Sequence, residues 1–212
     1  MADSTRVAMI DYGSGNLRSV EKALQYAGAE VFRAESPEAL AACAAVVLPG
    51  VGSFGDCARS LEERGLTEPL RAWLAADRPY LGICLGYQIL FETSEESPDA
   101  HGLAHWRGRV VRFPEGPGLK VPHMGWNSLE LRAREPMFAG LPDPAFVYFV
   151  HSYYPQPDDT DLITAACTHG VPFAAACRRG NIRGVQFHPE KSQTTGLRML
   201  ENFVDELRGA TN

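Results

Sequence analysis

The chain has 212 residues, 45% of them apolar and 22% charged, and a formal net charge of −6 at pH 7. This composition is ordinary for a soluble globular protein with a sizeable core. The negative charge argues against a nucleic-acid partner, which would need a basic surface. The longest apolar run, residues 39–48, is too short to span a bilayer, and the N-terminus lacks the pattern of a signal peptide.

The cysteines indicate a reducing compartment. There are five of them, an odd number, and no two have C-x-x-C spacing. Disulfides and a zinc site are therefore not expected, and the cytoplasm is the predicted location. The cysteines stand at positions 43, 57, 84, 167 and 177.

The first hundred residues alternate short apolar strands with amphipathic helices. Strands are predicted at 7–10, 30–34, 46–48 and 80–83. Helices are predicted to begin after a cap at Asn16 and at Ser36-Pro37, and to cover about 56–64, 68–76 and 86–92. Such alternation predicts a parallel sheet with helices on both faces.

Beyond residue 100 the pattern changes to short strands separated by prolines and glycines. They are predicted near 108–113, 127–131, 146–151, 162–167, 173–177 and 182–187. We expect these strands to extend the same sheet in antiparallel fashion, with a last amphipathic helix over about 194–208. No linker or repeat interrupts the chain, so residues 1–212 are expected to form a single domain.

One cysteine lies in a pattern that is typical of a nucleophile. The stretch Gly82-Ile83-Cys84-Leu85-Gly86 follows a predicted strand and precedes a predicted helix, with glycines two residues to either side of the cysteine. This is the form of a nucleophile elbow, in which the reactive side chain occupies a sharp corner at the carboxyl end of a strand. The dipole of the following helix is expected to favour the thiolate.

A second stretch, Gly184-Val185-Gln186-Phe187-His188-Pro189-Glu190, supplies a proton carrier for such a thiol. In an extended segment, side chains two residues apart point to the same side. His188 and Glu190 are therefore predicted to lie together, with the carboxylate orienting the imidazole as in a catalytic triad.

Attack by a thiolate on a carbonyl group also needs donors for the negative oxygen. The N–H of Leu85, directly after the cysteine, is the first predicted donor. The glycine-rich stretch Pro49-Gly50-Val51-Gly52 follows a neighbouring strand and offers the second.

These stretches together resemble a known family. "GICLGYQ", "PGVGSFGD" and "GVQFHPEKS" are similar to motifs of the class I (triad) glutamine amidotransferases. "IDYGSGN", "KVPHMGWN" and "YFVHSYY" resemble, more narrowly, the glutaminase subunits of imidazole glycerol phosphate synthase. The resemblance covers nearly the whole chain, and it implies an α/β, flavodoxin-like fold. Tyr87 is one departure, since Met is more usual there.

The resemblance implies a mechanism and a set of site residues. Cys84 would attack the carboxamide of glutamine, His188 would carry the proton, and Glu190 would orient His188, while the amides of Val51 and Leu85 hold the oxyanion. No metal or organic cofactor is implied. The positions that match glutamine-binding residues of the family are Gly50, Gly52, Gln88, Glu96, Ser152 and Tyr153.

The resemblance also implies a partner, because the chain has no room for an acceptor domain. In this family the partner is a (β/α)₈-barrel cyclase, which takes up the ammonia in histidine biosynthesis. It makes imidazole glycerol phosphate and an aminoimidazole-carboxamide ribotide. The positions implied for the channel mouth and the docking face are Asn16, Met124, Trp126, Tyr148, His151 and Lys191.

Other classes of protein remain open at this point. A glutaminase subunit of the anthranilate or aminodeoxychorismate type, or a paralogue serving a sugar pathway, would share most of these motifs. A cysteine peptidase or a γ-glutamyl hydrolase could use the same triad. A catalytically inactive docking subunit or a flavodoxin-like binding module would not need all three triad residues.

Overall fold

The computed structural model describes residues 5–13, 17–116 and 119–209. Asn16, the predicted helix cap and docking residue, lies outside them. The first half of the chain contains these elements: β1 (Arg6–Ile10), α1 (Leu17–Tyr26), β2 (Glu30–Ala34), a 3₁₀ helix (Pro37–Ala42), β3 (Ala45–Gly50), α2 (Phe54–Glu63), α3 (Thr67–Ala75), β4 (Tyr80–Cys84) and α4 (Leu85–Gln88).

The second half is mostly strands. Its elements are β5 (Thr93–Ser94), β6 (Gly108–Arg112), β7 (His123–Leu131), β8 (Ala145–His151), β9 (Tyr153–Pro157), β10 (Ile163–His169), β11 (Val171–Arg179), β12 (Ile182–Val185) and α5 (Gln193–Gly209). Short 3₁₀ helices cover Pro136–Phe138, Thr160–Leu162 and Pro189–Lys191.

A nine-stranded sheet runs through the molecule in the order β2-β1-β3-β4-β12-β11-β10-β7-β8. The strands from β2 to β12 pair in parallel, and their order is that of flavodoxin-like folds. The strands from β12 to β8 pair in antiparallel fashion. The predicted α/β fold, with a parallel sheet and an antiparallel extension, is confirmed.

One predicted strand belongs elsewhere. Residues 108–113 were expected to extend the central sheet, but β6 instead lies in a separate three-stranded sheet in the order β5-β6-β9. Its partner β9 begins directly after Ser152. Strand β6 pairs with Tyr153–Pro157 of β9 in antiparallel register. The pattern of β6 predicts a strand but carries no information about which strand it pairs with.

The central strands are buried on both faces because helices cover each side. Alternate residues of β1 point to opposite sides, so that Val7 and Met9 join one core cluster and Ala8 and Ile10 the other. Helices α1 and α5 pack on the first side and α2 and α3 on the second. Of the apolar residues predicted to form the buried face of the last helix, Leu197 is partly buried and packs against the first cluster, and the other four belong to it: Leu200, Phe203, Val204 and Leu207.

Two predicted helices are shorter or tighter than expected. The segment after Ser36 is a 3₁₀ helix of six residues, and the helix after the elbow ends at Gln88 instead of near residue 92. None of the helices among the described residues has the length and apolar character needed to cross a membrane.

Candidate active site

Three neighbouring parallel strands bring the predicted catalytic segments to one edge of the sheet. Gly50 at the end of β3 pairs with Cys84 at the end of β4, and Val185 at the end of β12 pairs with Ile83. Since the carboxyl ends of parallel strands share an edge, the stretches after Gly50, Cys84 and Val185 meet there. This is the edge where sheets of this kind bind ligands.

Cys84 occupies a strained corner, as the nucleophile elbow requires. Its backbone angles, φ 54° and ψ −104°, lie outside the regions that residues other than glycine favour. The backbone around the elbow is closely packed, which explains why glycines flank Cys84. A Cβ at Gly82 would overlap the main-chain oxygen of Gly86, and a Cβ at Gly86 would overlap the main-chain oxygen of Leu48.

The helix after the elbow has only four residues. The dipole of so short a helix is small, because the dipole grows with the number of aligned peptide units. The predicted contribution of the helix to the charge on Cys84 is therefore weaker than the sequence suggested. Two side chains from the segment after β12 stand near the sulfur instead. Gln186 Nε2 is 3.6 Å from Cys84 Sγ. His188 is close enough for negative charge on the sulfur to raise the pKa of its imidazole.

His188 and Glu190 form a buried pair. Nδ1 of the imidazole lies 2.8 Å from Oε1 of the carboxylate, and the side chains are 3% and 1% exposed. The sequence predicts that an extended segment brings these side chains together, but Pro189–Lys191 is a 3₁₀ helix. His188 is the N-cap residue of that helix and Glu190 lies in its first turn, so the turn brings the two side chains together.

The protonation of His188 depends on its neighbours. Burial alone would lower the pKa of the imidazole, but the negative Cys84 sulfur and the Glu190 carboxylate outweigh burial and raise it. Among the described residues, His188 Nε2 has no hydrogen-bond partner at normal distance and angle. The imidazolium form of His188 is thus favoured, and one ring nitrogen remains available for proton transfer.

A cavity of about 330 Å³ opens beside Cys84. It brings together most of the residues predicted to bind glutamine, but Gly50 is not in its wall. A Cβ at Gly50 would overlap the Tyr12 hydroxyl and the Leu85 side chain, so this glycine is needed for close packing at the end of β3. The lining residues are Val51, Gly52, Cys84, Leu85, Gln88, Glu96, Pro122, Val150, His151, Ser152 and Tyr153.

Both predicted oxyanion donors belong to this cavity. Leu85 is the first residue of α4, so its N–H has no partner within the helix. Val51 follows β3, is 38% exposed, and lines the cavity together with Cys84. The structure therefore places both residues in the wall of the cavity that contains Cys84.

The other cavity residues are held by hydrogen bonds. Gln88 Nε2 donates to the carbonyl oxygen of Tyr153 at 2.9 Å, which joins the elbow helix to the start of β9. Glu96 Oε2 accepts from the N–H of Phe54 at 2.8 Å, at the N-terminus of α2. The main-chain oxygen of Ser152 accepts from Phe113 N–H at 3.0 Å.

The predicted docking residues form an exposed patch on the hairpin of β7 and β8. Met124 is 63% exposed and Trp126 47% exposed, and both project from the same face of β7. Trp126 contacts Tyr148 on β8 edge to face, and Lys191 Nζ lies 5.9 Å from the Tyr148 ring. His151 differs from these residues, because it is buried and lines the cavity.

Three buried residues near the site were not singled out from the sequence. Gln186 contacts Cys84, His123 Nδ1 lies 3.1 Å from His151 Nε2, and Ser192 bridges β8 to the segment of His188. Gln186 lies within the quoted "GVQFHPE" stretch, two residues before His188. The sequence held no signal that would place it at the sulfur.

The four other cysteines are buried in apolar surroundings. Burial raises the pKa of Cys57, Cys167 and Cys177 to about 12 each, and it raises the pKa of Cys43 as well. Cys177 also lies 2.9 Å from the hydroxyl of Tyr87. Tyr87, the residue that departs from the usual Met, thus has its hydroxyl in the core and not in the cavity.

The fold and the site together match one class of enzyme. A sequence model of the family "Glutamine amidotransferase class-I" matches residues 8–207, and the chain belongs to that class. Solved structures with low sequence identity share its fold. One described as a glutamine amidotransferase has a TM-score of 0.74 at 21% identity, covering 95% of this chain and 98% of that one. PurLQS from Thermotoga maritima also gives 0.74, at 18% identity, covering 98% and 99%.

More similar relatives define the family within the class. The protein named "Imidazole glycerol phosphate synthase subunit HisH" from Geobacter sulfurreducens is 50% identical, covering 94% of this chain and 98% of its own length. The protein of the same name from Desulfitobacterium hafniense is 49% identical, covering 93% and 92%. The chain therefore belongs to the HisH family of glutamine amidotransferases and is an enzyme. The predicted family is confirmed.

Proposed function

We propose that the chain hydrolyses glutamine to glutamate and ammonia through Cys84, His188 and Glu190, and passes the ammonia to a cyclase subunit. The observation that carries the proposal is the buried His188–Glu190 pair beside a thiol on a strained elbow. The Cys84 thiolate attacks the carbonyl carbon of the side-chain carboxamide. The C–N bond then breaks, and His188 gives its proton to the leaving ammonia.

The second half of the reaction regenerates the thiol. His188, now neutral, takes a proton from a water molecule that attacks the glutamyl thioester. The C–S bond breaks, glutamate leaves, and Cys84 and His188 return to their starting state. Glu190 holds the imidazole orientation and stabilises its charged form throughout. The N–H groups of Leu85 and Val51 are the proposed donors to the oxyanion of each tetrahedral intermediate.

The remaining cavity residues are proposed to bind glutamine. Gly52, Gln88, Ser152 and Tyr153 would contact it largely through main-chain groups, and Gly50 would act by holding Val51 in place. The Glu96 carboxylate faces the cavity and has the charge to receive the α-ammonium group, although it also accepts a hydrogen bond from Phe54.

The proposed partner is a (β/α)₈-barrel cyclase that makes imidazole glycerol phosphate and an aminoimidazole-carboxamide ribotide. The names of the relatives, which are subunits of imidazole glycerol phosphate synthase, support this. Ammonia released into water would become protonated and lose its nucleophilicity, so it needs a protected path. The exposed patch of Met124, Trp126 and Tyr148 is the proposed docking face, with Lys191 at its side and Asn16 as a further contact.

Three broader features complete the proposal. Residues 1–212 form one domain, which is supported by the single family match over residues 8–207. The reaction uses no metal or organic cofactor, because cysteine and histidine supply the nucleophile and the proton transfer. The enzyme works in the cytoplasm, which is supported by five free cysteines.

The decisive experiment separates the two nitrogen sources. In the complex with the cyclase, Cys84→Ala is expected to abolish synthesis from glutamine and to leave synthesis from ammonia at high pH unchanged. The reason is that only glutamine hydrolysis needs the thiol. Equal loss of both activities would show that Cys84 is structural. If the wild-type complex makes the product from neither glutamine nor ammonia, the acceptor is a different one.

A further inference from the structure

The side chain of Gln186 lies against the reactive sulfur. This residue is fully buried, and its Nε2 atom is 3.6 Å from Cys84 Sγ. Its main-chain N–H donates to the carbonyl oxygen of Ala175 at 2.8 Å, which fixes the backbone beside β11. A buried carboxamide in this position presents either an N–H donor or a carbonyl acceptor to the sulfur, and the two have opposite effects on a thiolate.

The hydrogen-bond network determines which group faces the sulfur. The carbonyl oxygen of Tyr153 can only accept, so Gln88 must direct its NH₂ group toward it, at 2.9 Å. The same Gln88 Nε2 lies 3.1 Å from Gln186 Oε1 and donates its second proton there. The carbonyl of Gln186 is thereby occupied by Gln88, and its NH₂ group faces Cys84.

The main-chain oxygen that anchors this network is itself held in place. Tyr153 O also accepts a hydrogen bond from His151 Nδ1, at 2.9 Å. His151 in turn accepts from His123 through Nε2, since its Nδ1 carries the proton donated to Tyr153. The carbonyl group that orients Gln88 and Gln186 is therefore anchored by two buried histidines.

We propose that Gln186 is a further catalytic residue, whose side-chain N–H holds the Cys84 sulfur and stabilises its negative charge; this rests on the proposed glutaminase reaction. The donor acts twice in that reaction. It stabilises the resting thiolate, and it stabilises the thiolate again when the second tetrahedral intermediate collapses and sulfur is the leaving group. Gln88 and His151 are positioning residues for this N–H.

The test uses two variants that alter the donor in different ways. Gln186→Met keeps a similar volume and removes the N–H, whereas Gln186→Glu keeps the shape and replaces the N–H by a negative oxygen. A role in packing alone predicts that the isosteric Glu variant is tolerated better. A donor role predicts that it is the worse of the two, because a carboxylate repels the thiolate.

The measurement is the rate at which iodoacetamide alkylates Cys84 in the whole chain at pH 7. This reagent needs neither glutamine nor the partner, so the result does not depend on the acceptor. A hydrogen bond to a charged group is worth roughly a ten- to hundred-fold change in rate. We expect a loss of that size for Gln186→Met and a larger loss for Gln186→Glu, with both pH profiles moved to higher pH. The matched control is Gln25→Met, at an exposed position on α1.

Alkylation of folded Gln186→Met at the wild-type rate, or faster alkylation of the Glu variant than of the Met variant, would overturn the proposal. If neither variant folds, NMR of the wild-type chain gives the answer. The side-chain NH₂ resonances of Gln186 are expected to shift when Cys84 is replaced by alanine, while those of Gln25 do not. Unmoved Gln186 resonances would likewise overturn the proposal. If Cys84 of the wild-type chain reacts rapidly with iodoacetamide but the wild-type chain hydrolyses no glutamine, the result counts against the proposed function and not against the role of Gln186.

Discussion

The imidazole of His188 and the carboxylate of Glu190 lie 2.8 Å apart with almost no exposed surface. Neither charge is solvated by bulk water, so each depends on the other for its stability. The carboxylate can accept only from Nδ1–H, which fixes the tautomer and leaves Nε2 for the reacting groups. Loss of the negative charge of Glu190 should therefore lower the activity.

Glu190→Gln is expected to lower the kcat of glutamine hydrolysis by a factor on the order of 10². Loss of charge from a triad carboxylate costs up to about 10⁴ in other enzymes. We expect a smaller loss here, because the Cys84 sulfur also stabilises the imidazolium. Glutamate release by the complex measures the effect, with the exposed Glu68→Gln as control. An unchanged kcat would remove Glu190 from the mechanism.

A glutamine analogue that carries a diazoketone is expected to alkylate Cys84 and no other cysteine near pH 7. The other four thiols are buried, and burial raises their pKa, so they stay protonated. Peptide mass mapping after partial labelling gives the answer, and the Cys84→Ala variant should take up no label. Comparable labelling of Cys43 or Cys57 would contradict the prediction.

The sequence predicted those parts of the site that depend on local geometry. The elbow at Cys84 follows from a strand, a nucleophile and two glycines, and all of these are neighbours in the chain. The pairing of His188 with Glu190 was also predicted, although for the wrong local structure. The carboxyl edge of a parallel sheet then accounts for their meeting with Val51.

The parts that could not be predicted depend on contacts between distant residues. Gln186 reaches Cys84 across 102 positions, and Gln88 reaches Tyr153 across 65. The pairing of β6 with β9 is equally non-local. Hydropathy patterns show that a residue is buried, but the partner of a buried amide or of a strand edge depends on the register of the assembled sheets.

Acidification is expected to destabilise the fold through His123 and His151. Burial, together with the neighbouring His169, lowers the pKa of His123 to about 4. Burial also lowers the pKa of His151 to about 3. The hydrogen bond to the Tyr153 carbonyl raises this pKa, but it is outweighed by burial and by the nearby His123, His169 and His188, which lower the pKa further. An unfolded histidine takes up a proton near pH 6.5, whereas these two do not until the pH is much lower. Their contribution to stability is complete above pH 6.5 and is lost as the pH falls toward 4 and then 3.

Urea unfolding between pH 7 and pH 4 tests this. Each histidine steepens the fall in unfolding free energy by at most about 1.4 kcal/mol per pH unit. The double variant His123→Asn, His151→Asn should start lower and fall less steeply. His101→Asn, at an exposed position, should keep the wild-type slope. Equal slopes for the wild type and the double variant would contradict the pKa directions.

Gly86→Ala is expected to lower the unfolding free energy by about 3 kcal/mol or more. The new Cβ would overlap the main-chain oxygen of Leu48 and lie 2.7 Å from its carbonyl carbon, so strand β3 itself would have to move. Gly116→Ala is the matched control, since a Cβ there meets no described atom within 4 Å. Similar unfolding midpoints for the two variants would show that the elbow has more room than its geometry indicates.

Trp126→Ala is expected to weaken binding of the proposed cyclase partner by at least about ten-fold. Trp126 is 47% exposed and lies near Met124 on the same face of β7, so it has the size and exposure of an interface anchor. Tyr26→Ala is the control, because Tyr26 is 71% exposed and is the last residue of α1, the helix that returns the chain from the carboxyl end of β1 to the amino end of the parallel strand β2. Titration calorimetry with the purified cyclase gives both affinities. Alkylation of Cys84 in the isolated chain should be unchanged in both variants, since neither residue lines the cavity. Full affinity after loss of Trp126 would move the docking face away from β7 and β8, whereas equal weakening by Tyr26→Ala would show that the loss is not specific to that face.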